Sequence, residues 1–153
     1  METDFKELKE IDLNTVSQVH ALFPHWKRAS VQRKLDSTQK NKDQRFIALV
    51  KGKIVAHVKV VYGQGLHKHR AEITSLVVDK KMRKHHIGSG LMKFVLANIS
   101  SKTFLVLLAV ETTNKPAIKL YKKLGFEKYG LLKKASLVNG KFVDNILMKK
   151  ELK

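Results

Sequence analysis

The chain has no cysteine and only two prolines, and its 13 acidic residues are set against 31 lysines and arginines, for a formal net charge of +18. The missing cysteine excludes a disulfide framework, a thiolate metal site and a cysteine nucleophile, and leaves the redox compartment open. No apolar run is longer than the seven residues Phe104 to Val110, against the roughly 20 that a membrane-spanning helix needs. The opening segment Met1-Glu2-Thr3-Asp4-Phe5 is acidic and has neither the basic nor the apolar region of a secretory signal. A cytoplasmic, intracellular protein with no membrane contact is therefore expected. There is no repeat, low-complexity block or flexible linker, and 153 residues with 43% apolar content suffice for one domain, residues 1–153, with its own core.

The positive charge comes from 26 lysines and 5 arginines, spread from Lys6 to Lys153. Readers of nucleic acid favour arginine, whose planar fork matches phosphates and guanine edges. A lysine excess without clustering reads as a solvated surface or as attraction of small anions, so nucleic acid is not expected as the main partner.

Along the chain, Phe5 to Ile11 reads as a strand. Asn14 or Thr15 can cap a helix toward Phe23, with Val16, Val19, His20 and Phe23 at helical spacing. Ser30 begins a second, short helix in the polar and basic region from Lys27 to Asp43. Arg45–Val50 and Lys53–Tyr62 form a hairpin about Lys51-Gly52, and Arg70–Val78 is the next strand. An amphipathic helix from Ile87 to Ile99 presents Ile87, Leu91, Val95 and Ile99 on one stripe. Phe104–Val110, apolar throughout, reads as a strand covered on both faces with a parallel neighbour. Asn114 caps a helix with Pro116 in its first turn, Gly125 past its end, and Ala117, Leu120, Tyr121 and Leu124 on one face. Two strands then flank Asn139-Gly140, a strong hairpin signal. The pattern is an α/β or α+β mixed sheet with helices on both faces.

In the segment from Leu76 to Met92 a strand runs through a basic loop directly into a helix. Unpaired amides and the positive end of the helix dipole favour an anion such as a pyrophosphate there, and Gly88 and Gly90 allow close backbone approach. The spacing matches neither the phosphate-binding loop nor the dinucleotide fingerprint. The run Arg83-x-x-His86-Ile87-Gly88 resembles the acetyl-CoA loop of the GNAT superfamily of N-acetyltransferases, Gln/Arg-x-x-Gly-x-Gly/Ala. Asn114-Lys115-x-Ala117-Ile118-x-Leu120-Tyr121-x-x-Leu124-Gly125-Phe126 resembles its second signature, at the expected distance downstream. The order of elements agrees from Phe5 to the end of the chain.

This resemblance implies a GNAT-like acyl-CoA N-acyltransferase fold, with a mostly antiparallel central sheet, as a single N-acetyltransferase domain. It implies acetyl-CoA as co-substrate. The backbone of Leu76, Val77 and Val78 would pair with the pantetheine arm where the sheet splays from the Phe104–Val110 strand, and Val77 would polarise the thioester oxygen. Amides of Arg83, Lys84, His85, His86, Ile87, Gly88 and Ser89 would hold the pyrophosphate. Asn114 would lie near the arm, or act only as a helix cap. His86 stands where the family has its first glycine. Either the loop is displaced and the cofactor held less tightly, since a Cβ disfavours positive φ, or His86 is ordinarily helical.

Transfer of an acetyl group requires the amine to lose a proton and the leaving thiolate to gain one. Tyr121 matches the family's acid, and a phenol of ordinary pKa, about 10, is close enough to a thiol for the task. Its other reading is an aromatic core residue. Glu72 lies on the Leu76–Val78 strand where some members place the base; it is otherwise a surface salt-bridge partner, with waters and carbonyls taking the proton. His20 and His25 flank the acceptor side of the family fold, and His67-Lys68-His69-Arg70 reads as a solvated basic turn. No histidine shows metal spacing, and no metal is expected.

Lys27, Arg28, Arg33, Lys34 and the His67 to Arg70 run point to a small anionic amine, with glucosamine 6-phosphate the leading expectation. Polycations would be repelled. A polypeptide N-terminus or lysine, or a non-catalytic module binding acetyl-CoA or RNA, are the alternatives. A homodimer is expected from the family's habit of pairing its last strands.

Overall fold

The structure, a computed structural model, describes residues 1–41 and 43–153, and for residues 37–41 the backbone alone. Lys42, within the polar region read from Lys27 to Asp43, lies outside the described residues. The elements are β1 (Asp4–Glu7), α1 (Leu13–Leu22), α2 (Arg28–Asn41), β2 (Gln44–Val50), β3 (Lys53–Tyr62), β4 (Arg70–Val78), α3 (Ile87–Asn98), β5 (Leu105–Glu111), α4 (Lys115–Lys123), β6 (Glu127–Val138) and β7 (Lys141–Glu151). The hydrogen-bonded strand order is β1-β2-β3-β4-β5-β7-β6 in a mixed sheet of seven strands. No described helix is long and apolar enough to cross a membrane.

Two compact units divide the chain within β4: Met1–Tyr62 with Thr74–Ile99, and Gly63–Ile73 with Ser100–Lys153. In the first, β1, β2 and β3 pair antiparallel, and register decides which side chains meet which helix. Phe5 lies opposite Ala48 on β2, so Phe5, Phe46 and Ala48 share one face, and the Phe94 ring of α3 lies 6.2 Å from Phe5 and 6.0 Å from Phe46. Ile47 and its partner His57 face the other way, where His57 meets Phe23 at the end of α1 at 5.7 Å. Helices thus cover both faces here, as expected. Val16, Val19, Val31 and Leu35 of α1 and α2 form a buried cluster, packed by Leu8, Ile11, Phe23, Trp26 and Ile54.

The largest differences in boundaries from the sequence reading lie before β2. The first strand ends at Glu7 rather than Ile11, because Asp12 is the N-cap of α1, its carboxylate accepting from the Thr15 amide at 2.6 Å. Asn14 and Thr15 are therefore already helical. The second helix starts at Arg28 and runs 14 residues. Its polar sequence hides the length, but the Val31 and Leu35 pair at i, i+4 is buried to 1% exposure and holds it by packing.

In the second unit β4 and β5 are parallel over Arg70↔Leu105, Ala71↔Val106 and Glu72↔Leu107, where the ladder ends. β7 pairs antiparallel with both β5 and β6. The parallel neighbour of β5 is as expected, but full cover of both faces is not. Val106, Leu108 and Val110 are buried, whereas Ala109 is exposed and Phe104 is 51% exposed. Asn139 and Gly140 both have positive φ, the geometry of a tight hairpin turn, and Lys51 and Gly52 repeat it between β2 and β3.

Candidate active site

The end of β4, its following loop and the start of α3 lie together in the first unit. Asp79 anchors the loop: its amide donates to the Val55 carbonyl at 2.8 Å, and its carboxylate accepts from the Lys81 amide at 2.9 Å. Beyond the turn Lys80–Met82, His85 Nδ1 is 2.9 Å from the Arg83 carbonyl. Lys84 and His86 both adopt left-handed backbone, φ +67 and +60. His86 is thus neither ordinarily helical nor a bar to the glycine-like geometry: it takes the conformation a glycine would, against the sterics of its Cβ.

The first bond of α3 runs from the Gly90 amide to the His86 carbonyl at 2.9 Å, and no side chain caps the helix. The amides of Ile87, Gly88 and Ser89 precede that bond and have no carbonyl within the helix to reach. Arg83 is extended and Lys84 and His86 left-handed, and Arg83, Lys84, His85 and His86 are all exposed ahead of a helix start that favours an anion. The phosphates of acetyl-CoA fit this donor set. Gly90 serves packing instead: a Cβ there would come within 2.5 Å of Phe5 Cζ.

Leu76, Val77 and Val78 form the last turn of strand before this loop and are half-buried. Ser75 immediately before them has φ +55, a kink in β4. Its carbonyl lies 3.4 Å from Nδ1 of His57. His57 is fully buried, its Nε2 2.9 Å from Arg45 Nη1, and Nη2 of the 4%-exposed Arg45 donates to the Lys34 carbonyl at 2.8 Å. Burial and the neighbouring guanidinium push the His57 imidazole down to about 3, and burial lowers Arg45 to about 10. The sequence reading missed this group, although a signal existed: Arg45 and His57 are polar residues set among Phe46, Ile47, Ala56 and Val58 in otherwise apolar strands.

In the second unit Glu72 is exposed, between buried Ala71 and Ile73, as strand alternation requires. Asn114 is a helix cap, accepting from the Ala117 amide at 3.3 Å; its amide nitrogen keeps its donors. Tyr121 is the buried residue of α4, 7% exposed, with its ring 5.9 Å from that of Phe126. Burial raises its phenol to about 12, well above the ordinary value taken from sequence. The hydroxyl is thereby kept protonated at any physiological pH, but is a weaker acid than a hydrated phenol. His67, Lys68 and His69 are exposed. His20 binds the Trp26 carbonyl at 2.7 Å, which gives it a structural role, and His25 is exposed.

Residues 11–126 match the family model described as "Acetyltransferase (GNAT) family". The chain is similar to an L-amino acid N-acetyltransferase (AaaT) of Escherichia coli K12, 30% identical over 107 residues, covering 69% of this chain and 66% of that protein. It is also similar to human N-alpha-acetyltransferase 30, 38% identical over 85 residues, covering 53% of this chain and 23% of that one. The chain thus spans about two thirds of the first relative and under a quarter of the second. Among solved structures, yncA of Salmonella typhimurium, described as a putative acetyltransferase with its cofactor acetyl-CoA, superposes with a TM-score of 0.84 at 12% identity, over 99% of this chain and 94% of that one. That likeness is one of fold. With more than two thirds of its length matched by the family model, the chain belongs to the acetyltransferase (GNAT) family.

Proposed function

We propose that this protein is an acetyl-CoA-dependent N-acetyltransferase whose acceptor is a small amine that also carries an anionic group. The observation that carries the transferase reading is the uncapped start of α3 behind two left-handed residues, reached directly from Leu76–Val78. Acetyl-CoA supplies the acetyl group as a thioester with a stable thiolate as leaving group. Main-chain groups of Leu76, Val77 and Val78 would bind the pantetheine arm as an added strand does, and the Val77 amide would polarise the thioester oxygen, where negative charge develops. Amides from Arg83 to Ser89 would hold the pyrophosphate, and Asn114 is assigned to the pantetheine arm by its place in the second signature. Glu72 takes the proton of the attacking amine, directly or through one water, and the Tyr121 hydroxyl gives one to the departing sulfur.

The acceptor reading rests on two supports. The bacterial relative is named for L-amino acids, which carry a carboxylate beside the amine, and exposed Lys27, Arg28 and Arg33 supply matching charge. An amino-sugar phosphate such as glucosamine 6-phosphate has the same combination of amine and anion. A polypeptide α-amine is the second reading, favoured by the 38% identity to N-alpha-acetyltransferase 30. Thiol release from acetyl-CoA, followed against amino acids, glucosamine, glucosamine 6-phosphate, spermidine and short peptides, tests all of these. Turnover with an amino acid or sugar phosphate but not with spermidine is expected. Turnover with peptides alone replaces the acceptor class, and silence together with no thermal shift from acetyl-CoA overturns the reading.

Glu72→Gln keeps the size of the side chain and removes the base. Because the carboxylate is exposed, kcat is expected to fall on the order of tenfold, less than the 10²–10⁴ of a well-placed sequestered base. An unchanged kcat would assign the proton to a water chain.

A further inference from the structure

The Arg45–His57 pair takes no part in the proposed chemistry, yet both side chains are buried and one ends at the kink that precedes Leu76. Arginine has donors only, so the His57 Nε2 that lies 2.9 Å from Arg45 Nη1 must be the acceptor of that bond. The proton of the neutral ring then sits on Nδ1, which makes Nδ1–H the donor to the Ser75 carbonyl at 3.4 Å. The second arm of the guanidinium donates to the Lys34 carbonyl in α2, and the ring is backed by Phe23 edge to face. The tautomer of His57 is thus dictated by Arg45, and its orientation by α1 and α2. Ser75 has a φ of +55, which a residue with a Cβ keeps only when its surroundings impose it.

We propose that Arg45 and His57 are positioning residues: Arg45 fixes the His57 tautomer, His57 holds the Ser75 carbonyl, and the Ser75 kink sets the main-chain groups of Leu76–Val78 for acetyl-CoA. This inference rests on the acetyltransferase reading. The groups around the imidazole are Arg45 of β2, Lys59 of its own strand, the Ser75 carbonyl of β4 and the Phe23 ring of α1; their arrangement holds the ring neutral and its Nδ1 a donor.

Two amide variants separate the two bonds. In His57→Asn the side-chain nitrogen stands near the Nδ1 position and can still donate to Ser75, but cannot reach Arg45. In His57→Gln the amide oxygen reaches the Nε2 position and accepts from Arg45, while the bond to Ser75 is lost. Acetyl-CoA affinity by calorimetry and the amide resonances of Leu76, Val77 and Val78 without ligand are the readouts, with the melting temperature beside them.

Both variants are expected to melt lower than wild type, but only His57→Gln weakens acetyl-CoA binding, roughly five- to tenfold, the worth of one hydrogen bond, and shifts the three amides. Equal effects of the two variants on binding and resonances would overturn the proposal, because general loss of packing moves both alike. The ring nitrogen shifts of His57 in the wild-type protein give a test that needs no variant: a proton on Nε2 instead of Nδ1 also overturns it. Wild type that binds no acetyl-CoA would remove the acetyltransferase reading and this proposal with it. Wild type that binds, with Asn and Gln variants indistinguishable, removes the proposal alone.

Discussion

Replacing Tyr121 by Phe is expected to lower kcat about 100-fold, at the lower end of what a positioned general acid contributes, and to leave the KM for acetyl-CoA nearly unchanged. The Tyr121 ring packs 5.9 Å from that of Phe126, a contact a phenyl ring can keep, so the expected loss is chemical. Folding stability by urea titration should stay close to wild type, and that comparison separates lost acid catalysis from lost structure. The raised phenol explains two further features. With the folded value pushed up to about 12 by burial, the group stays protonated across the working range, so no alkaline limb below about pH 10 comes from Tyr121. The same shift acts on stability: the folded state retains this proton above the ordinary phenol value, so the contribution is fully present below about pH 10 and fades as pH rises toward 12. A Tyr121→Phe protein with unaltered kcat would leave another group or water to protonate the thiolate.

The second large effect is on acid stability. His57 is held neutral in the folded state, its value depressed to about 3 by burial and by the Arg45 charge, whereas in the unfolded chain it titrates near 6.5. The unfolded state therefore binds the extra proton over this window. The contribution of the neutral ring is present above about pH 6.5 and is lost as pH falls toward 3, with a slope of about 1.4 kcal/mol per pH unit from this residue alone. Urea midpoints measured from pH 7 to pH 4 should show the decline in wild type and a shallower one in His57→Asn, which has nothing to protonate. Parallel slopes in the two proteins would mean that the acid sensitivity belongs to other groups. The Asn114→Ala change is a smaller matter, expected to lower stability by about 1 kcal/mol as the loss of one helix cap, measured in the same titration.

Much of the architecture was legible because it is written locally. The limits of β4, the α3 stripe of Ile87, Leu91 and Val95, the Asn114 cap and both tight turns follow from the period of apolar residues, one capping side chain, and residue pairs that accept positive φ. The family signature around Arg83 and Tyr121 was readable for the same reason: its residues are close in sequence. What local reading gets wrong has a common cause in long-range contact. α2 looks polar and short, and is held to its full length by Val31 and Leu35 against α1. The run Phe104–Val110 looks apolar on both sides, yet leaves Phe104 and Ala109 open to solvent.

By itself, the sequence determined the order of strands and helices, the family, the basic character, and the types of residue able to move protons and hold an anion, since these depend on composition and on spacing within single elements. Only the tertiary structure decided the rest. It set the left-handed backbone of His86, which a residue with a Cβ uncommonly adopts, and the burial that raises Tyr121. It also joined Arg45 of β2, His57 of β3 and Ser75 of β4, three residues separated along the chain and brought together by strand register. A side chain's conformation, protonation and partners depend on what surrounds it in space, and those surroundings exist only once the strands are paired.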